Sequence, residues 1–170
     1  MPLYTVEGQD FELNRRFAIL DTNVLICRFV KSEKHHLDIL EVFTESQYQW
    51  VISYAVVQEA WHMILRMAGN LAAREYFTWL KNPGSNVLLI PINDRLLGDM
   101  EIYNKFGVDC VDGALLKLAE DISLSCNIKS IIATYDTRDF MMLWSHSDPS
   151  TFTLYQMEED YVKLVIDDQE

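Results

Sequence analysis

Residues 17–23 read Phe-Ala-Ile-Leu-Asp-Thr-Asn, an apolar run that ends abruptly on a carboxylate. Four consecutive apolar residues are typical of a strand that is buried on both faces of a sheet. The polar residues Thr22 and Asn23 favour capping of a short helix, predicted over residues 24–29. This stretch therefore predicts a strand–helix unit with Asp21 at the carboxyl end of the strand.

The alternation of apolar runs and helical patterns continues along the chain. Strands are predicted at residues 50–53, 87–91, 130–134 and 152–155, and helices at 32–43, 55–67, 71–80, 94–106 and 109–125. The helix over 55–67 is predicted to end near Gly69-Asn70, since glycine commonly stops a helix. Strands alternating with helices indicate right-handed βαβ units and a mainly parallel sheet covered on both faces. We predict a three-layer α/β/α fold with a five-stranded sheet.

The length of 170 residues favours a single domain over residues 1–170. Its core is predicted at about residues 17–155, because the flanking segments lack the strand and helix patterns. Residues 1–15 are polar and predicted to form an N-terminal arm or an edge strand. The C-terminal end is predicted to form an acidic tail.

The net charge of −12 argues against a protein that coats nucleic acid through charge alone, although the charge is unevenly distributed. Residues 148–170 hold seven acids and one lysine, which gives −6, half of the total. We interpret this tail as a solvated surface, with contact to a basic partner as the alternative. Residues 51–100 are balanced, with four acids and four bases.

The cysteines indicate the compartment. Cys27, Cys110 and Cys126 are odd in number and widely spaced, which fits a reduced cytoplasmic protein better than a disulfide framework. The N-terminal residues have no basic start and no apolar secretory stretch, so no signal peptide is predicted. No apolar run approaches the roughly 20 residues that span a bilayer, and we predict no membrane association.

Four acids follow apolar runs and form the candidate site: Asp21, Glu59, Asp112 and Asp136. A strand order of 3-2-1-4-5 would make the strands before Asp21 and Asp136 neighbours, with the reversal of chain order between them. Acids brought together repel one another, and a bound cation relieves that repulsion. Oxygen ligands suit a hard cation such as Mg²⁺. The pattern predicts a metal-dependent hydrolase in which these acids are catalytic.

Alternatives remain for two of the four acids. Asp21 could instead serve as the N-cap of the following helix. Glu59 could bind the metal, position the attacking water, or lie on a solvated helix face. His62 is three residues from Glu59, and we predict that it is a partly buried structural residue.

The other two acids each have a nearby competitor. Asp109 precedes Asp112 by three residues, so one helical turn could present both to the site. We prefer Asp112 as the ligand and assign Asp109 as a helix cap or an accessory acid. Asp136 lies nearer the strand end than Asp139, which we assign to an accessory role or a turn cap.

Neutral and basic side chains complete the candidate set. Thr22, Asn23 and Thr134 could orient the carboxylates or bound water, although turn and cap roles explain them equally well. Arg28 is a candidate for phosphate contact, with a surface salt bridge as the commoner role. The four tryptophans could stack on bases, but we expect most of them to be buried: Trp50, Trp61, Trp79 and Trp144.

The chain resembles the PIN domain (PilT N-terminus) nuclease family, which includes the VapC-type toxins. The resemblance covers about residues 17–155. Its motifs are Leu20-Asp-Thr-Asn-Val-Leu25, Val57-Gln-Glu59, Asp112-Gly-Ala-Leu-Leu116, Thr134-Tyr-Asp136 and Asp139-Phe140. Gly113 stands at the second place of the family's Asp-x-Ala-Leu pattern.

The resemblance implies a five-stranded parallel sheet of order 3-2-1-4-5 and an acidic pocket that holds Mg²⁺ or Mn²⁺. It further implies hydrolysis of RNA, a homodimer and, for a toxin, a small antitoxin that inserts a basic or aromatic segment into the pocket. The alternative is a catalytically weak or inactive domain that keeps the fold and acts through protein contacts.

Overall fold

The computed structural model describes residues 1–93, 104–105, 107–138, 140–141 and 152–157. Its elements, in chain order, are β1 (Leu3–Val6), β2 (Gln9–Glu12), β3 (Phe17–Leu20), α1 (Thr22–Phe29), α2 (His36–Glu45), β4 (Gln49–Ser53), α3 (Tyr54–Lys81), β5 (Val87–Ile90), α4 (Cys110–Cys126), β6 (Ser130–Thr134) and β7 (Phe152–Gln156). A short 3-10 turn (Pro83–Ser85) separates α3 from β5. The helix predicted over 94–106 lies outside the described residues except at 104 and 105, which are helical.

Five strands form a parallel sheet in the order β5-β4-β3-β6-β7. Numbered among themselves, these strands run 3-2-1-4-5, and helices flank the sheet. The predicted fold class is therefore confirmed.

The first strand of this sheet, β3, lies at its centre because both of its edges are paired. Ile19 is opposite Val51 of β4 on one side and Ile132 of β6 on the other. All four residues of β3 are buried, as expected for a strand covered on both faces. Leu20 is opposite Ala133, so β3 and β6 end at the same level of the sheet. The residues that follow these two strands are consequently neighbours.

The N-terminal residues form a hairpin of their own and do not extend the five-stranded sheet. Strands β1 and β2 pair antiparallel around a two-residue turn, Glu7-Gly8, in which both residues have positive φ (50° and 74°). Such turns match the natural twist of paired strands and favour glycine. The hairpin contributes three buried side chains to the common hydrophobic core: Tyr4, Val6 and Phe11. The alternation of buried and exposed residues in β1 explains why the segment looks polar in sequence.

Helix α3 changes direction at Gly69, as the sequence predicted for the Gly69-Asn70 stop. Gly69 has φ 83° and ψ −175°, a conformation that is not helical. The Tyr76 hydroxyl donates a hydrogen bond of 3.1 Å to the carbonyl of Val57. In a straight helix these residues would lie about 28 Å apart along the axis. The second part of α3 therefore packs back on the first part, which carries Glu59. Within the described ranges, no helix combines the length and apolarity needed to cross a bilayer.

We expect Gly69→Ala to lower the free energy of unfolding by about 1–3 kcal/mol. A Cβ at Gly69 would meet no atom within 4 Å, so the cost comes from backbone strain alone. Urea unfolding measures the effect. Gly84→Ala is the matched control, because Gly84 has no positive φ and its added Cβ would meet only the flexible Asn82 side chain. Equal losses in the two variants would contradict a strained reversal at Gly69.

Candidate active site

Asp21 stands at the carboxyl end of the central strand and directly precedes α1. Its backbone is extended, and its Oδ1 accepts a hydrogen bond of 2.6 Å from the Thr22 amide, so Asp21 is the N-cap of the helix. The alternative prediction that Asp21 caps this helix is confirmed, and capping by Thr22 and Asn23 is wrong because both residues already belong to α1. The backbone amide of Asp21 donates to the Ala133 carbonyl of β6 at 3.1 Å. Asp21 is only 6% exposed.

The second carboxylate oxygen of Asp21 faces the end of β6. Oδ2 accepts a hydrogen bond of 2.7 Å from the Thr134 hydroxyl and one of 3.2 Å from the Asn23 side-chain amide. That amide nitrogen also lies 3.1 Å from Thr134 Oγ1, and Asn23 Oδ1 accepts from the Tyr135 amide at 3.0 Å. Thr134 is fully buried. These contacts fix the orientation of the Asp21 carboxylate, and they join α1 to the end of β6.

The backbone of Asp136 is attached to the same hydroxyl. Its amide donates to Thr134 Oγ1 at 3.0 Å, and Oγ1 lies 3.1 Å from its carbonyl oxygen. The carboxylate is instead directed toward Arg138, whose amide donates to Oδ1 at 3.0 Å and whose Nη2 donates to Oδ2 at 3.1 Å. The site predicted from sequence does not include Arg138. The sequence does carry a signal for this contact, because a basic residue stands two positions after the candidate acid Asp136.

Glu59 reaches the site from the first turns of α3. The Thr22 hydroxyl donates a hydrogen bond of 3.3 Å to Glu59 Oε2, and the Glu59 side chain is half-buried. Ser53 begins this helix as its N-cap, with Oγ accepting from the Ala55 amide at 3.3 Å. Thr22 therefore links the two acids that approach from β3 and α3, because its amide donates to Asp21 and its hydroxyl donates to Glu59.

Burial and mutual repulsion perturb these acids. Burial raises the pKa of Asp21 to about 6, the charges of Glu59 and Asp109 add to the rise, and the hydrogen bonds from Thr134 and Thr22 oppose it. Burial also raises the pKa of Glu59, together with the charge of Asp109, against the hydrogen bond from Thr22. Among the described residues, no lysine, arginine or histidine forms an ion pair with Asp21 or Glu59. These acids therefore repel one another without a compensating charge in the described chain.

The third acidic position involves two residues at the start of α4. Asp109 is the N-cap, with Oδ1 accepting from the amides of Val111 and Asp112 at 2.9 Å each. Its charge raises the pKa of both Asp21 and Glu59, so Asp109 adds to the negative charge around them while it caps a helix. Asp112 lies in the first turn of α4 and is half-buried. The preference for Asp112 over Asp109 stays a prediction.

The acids fit a cation in charge and donor chemistry, but they do not form a closed cage. In the described ranges, no three Asp, Glu, His or Cys side chains are placed to hold one ion together. Asp139 lies outside the described residues. The fit depends on the donor set around Asp21, where a buried carboxylate is hydrogen-bonded only to neutral groups and repelled by two further acids. A divalent cation with oxygen ligands would relieve that repulsion.

The remaining candidate residues differ in burial and in their contacts. His62 is exposed, so the prediction of a partly buried structural histidine is wrong. Arg28 is half-buried with its guanidinium 4.9 Å from the Phe29 ring centroid, and burial lowers its pKa while the charge of Glu75 opposes that change. Trp50 is buried and Trp61 is 44% exposed, whereas Trp144 lies outside the described residues.

We expect Thr134→Val to lower the free energy of unfolding by about 1.5–3 kcal/mol, because the buried Asp21 carboxylate loses its shortest side-chain hydrogen bond. Chemical unfolding at neutral pH measures the loss. Thr134→Ser keeps the hydroxyl and is the matched control, with a smaller expected cost. A serine variant as unstable as the valine variant would show that the methyl group, and not the hydroxyl, matters.

Comparisons with known proteins extend these observations. The family model of the PIN domain matches residues 18–141. The VapC20 toxin of Mycobacterium tuberculosis, a sarcin-ricin loop cleaving toxin, is similar in structure with a TM-score of 0.57 at 12% identity, over 73% of this chain and 93% of that chain. FitAcB from Neisseria gonorrhoeae gives a TM-score of 0.52 at 12% identity, over 84% and 99% of the two chains.

A third similar structure is VapBC2 from Rickettsia felis bound to a DNA fragment from its promoter, with a TM-score of 0.50 at 13% identity. It covers 82% of this chain and 98% of that chain. No curated protein matches the sequence significantly. At these identities the structural likeness establishes the fold, whereas the family model matches most of the chain. The chain belongs to the PIN domain family.

Proposed function

We propose that the protein is a divalent-metal-dependent ribonuclease that hydrolyses RNA phosphodiester bonds, and that it acts as the toxin of a toxin–antitoxin pair. The observation that carries this proposal is the pairing of Asp21 with Glu59 through Thr22, whose backbone amide donates to Asp21 and whose hydroxyl donates to Glu59. The two acids meet where neighbouring strands β3 and β6 end, the usual ligand position in such sheets. Membership of the PIN family supports nuclease chemistry at this position.

Asp21, Glu59, Asp112 and Asp136 would hold Mg²⁺ or Mn²⁺ and form the catalytic set. The bound ion would supply a water of lowered pKa and stabilise charge on the phosphoryl oxygens. Thr134 and Asn23 hold the Asp21 carboxylate in one orientation through their hydrogen bonds to Oδ2. Thr22 holds Glu59 Oε2, leaving Oε1 available to orient a water. Asp109 adds negative charge, and Asp139 is proposed as an accessory acid.

The second candidate is a PIN-fold binding module with weak or no cleavage. The observation that favours it is the direction of the Asp136 carboxylate toward Arg138, since the described acids do not form a closed group. Metal binding and cleavage by the purified protein separate the two functions.

We expect the purified protein to cleave a labelled single-stranded RNA in Mg²⁺ or Mn²⁺ and to lose that activity in chelator. Asp21→Asn and Glu59→Gln should each reduce the rate by about 10²–10³, because each variant would weaken the hold on the ion that stabilises transition-state charge. Thermal unfolding with and without Mg²⁺ should show stabilisation of the wild type and a reduced shift in both variants.

Asp10→Asn and Glu41→Gln are the matched controls, because both acids are exposed on other elements, β2 and α2. Both should keep wild-type cleavage and metal-induced stabilisation. A wild-type protein that neither cleaves RNA nor gains thermal stability in either metal would sink the nuclease proposal and favour the binding module.

We also propose a small antitoxin that places a basic or aromatic segment against the acids. Two similar structures, FitAcB and VapBC2, have names that pair two components. Unpaired negative charge at Asp21 and Glu59 supports a basic partner segment.

A homodimer is proposed because Trp61, Met67 and Leu71 of α3 are exposed apolar residues. The three free cysteines support the cytoplasm as the compartment.

The partner proposal predicts that a small protein encoded next to this chain co-purifies with it and suppresses its RNA cleavage. Replacing the single arginine or lysine of that partner that reaches the acids should restore cleavage without abolishing the complex. A neighbouring protein that binds but leaves cleavage unchanged would contradict inhibition through the acidic site.

A further inference from the structure

Arg138 forms an ion pair with a predicted metal ligand. Its Nη2 lies 3.1 Å from Asp136 Oδ2, and its backbone amide donates to Oδ1 of the same carboxylate. Both oxygens of Asp136 are thereby engaged by one residue of its own chain. The contact of the Arg138 backbone amide is a local turn that any residue at position 138 except proline could make. The guanidinium contact is therefore an additional interaction that depends on the arginine side chain.

This guanidinium contact is easily exchanged. The side chains of Arg138 and Asp136 are 78% and 52% exposed, respectively. Exposed ion pairs contribute little to stability, because water and salt screen them and forming them costs side-chain conformational freedom. The guanidinium has five N–H donors, and the described contact with Asp136 uses one of the two on Nη2. The remaining donors can meet a second acceptor.

The position of Arg138 indicates which acceptor its remaining N–H donors would meet. Thr134 Oγ1 holds the backbone of Asp136 at 3.0 Å and the carboxylate of Asp21 at 2.7 Å, so Arg138 lies beside the acidic site. The chain carries a net charge of −12, which opposes the approach of a polyanion. A guanidinium fork matches phosphate oxygens in geometry and charge. An RNA phosphate held next to the acids is therefore the ligand that this side chain fits.

We propose that Arg138 is an RNA-binding residue that contacts a backbone phosphate, and that it releases the Asp136 carboxylate to the metal when it does so. The inference rests on the proposed ribonuclease function and adds a substrate contact that also regulates metal loading. Two exchanges are linked: the cation competes with Arg138 for Asp136, and the phosphate competes with Asp136 for Arg138. Without RNA, Arg138 weakens metal binding.

The test compares Arg138→Gln with the wild type in two measurements. For cleavage of a labelled single-stranded RNA in Mg²⁺, KM should rise about five- to tenfold with kcat nearly unchanged, because a contact made equally in the ground and transition states is lost. The salt dependence of kcat/KM should flatten by about 0.7 in the log–log slope, the value for one phosphate contact on a single strand.

The second measurement contains no RNA. The Mg²⁺ concentration that gives half of the maximal thermal stabilisation should fall by about two- to fivefold in Arg138→Gln, the range that corresponds to loss of an exposed ion pair. Arg138→Lys should retain the salt slope of the wild type, since the charge remains. Arg74→Gln is the matched control, because Arg74 is exposed on α3 and the substitution changes net charge equally.

Identical KM, salt slope and Mg²⁺ requirement in Arg138→Gln and Arg74→Gln would overturn the inference and leave the ribonuclease proposal intact. A raised KM with an unchanged Mg²⁺ requirement would overturn the linkage between the two exchanges. A wild type without cleavage or Mg²⁺ stabilisation would instead remove the ribonuclease proposal on which the inference rests.

Discussion

The hydrogen bond from the Thr134 hydroxyl to the Asp21 carboxylate is the interaction on which the site depends. It joins the residue that ends β6 to the residue that follows β3, across two neighbouring parallel strands. The same hydroxyl oxygen accepts from the Asp136 amide. One buried side chain therefore sets the orientation of one predicted ligand and the backbone position of another. The hydrogen bond between Thr134 and Asp21 follows from the register of β3 and β6, because both strands end at the same level of the sheet.

The electrostatics of the site result from this burial. Asp21 is inaccessible to water on most of its surface, and the groups that solvate it are neutral donors from Thr134, Asn23 and the Thr22 amide. Neutral donors lower the pKa of the carboxylate, yet burial and nearby acids raise it more. The fold thus maintains an energetically unfavourable concentration of negative charge at the end of its central strand. In an α/β protein such a feature is typical of a ligand site.

Local signals predicted much of the fold and of the site. The apolar run of β3, the alternation of strands and helices, and the helix end near Gly69 were all evident in sequence. The carboxylates after β3 and β6 were identified from their positions directly after apolar runs, at the edge of the sheet where ligands bind in such folds. The N-terminal hairpin was less evident because only alternate residues of β1 are buried and its turn is two residues long. Capping and site roles were treated as alternatives for Asp21, although a carboxylate can cap a helix and lie in a site at once.

The sequence by itself determined the fold class, the family motifs and the identity of the acids, since these depend on periodicity and on residue type. Only the tertiary structure decided which groups meet. The contact between Thr22 and Glu59 joins residues 37 positions apart, and that between Asp21 and Thr134 joins residues 113 apart. The direction of the Asp136 carboxylate toward Arg138 depends on side-chain torsions at the end of β6. Hydrogen bonding and repulsion between distant segments are absent from any local pattern, which is why the charge environment of these acids required the folded chain.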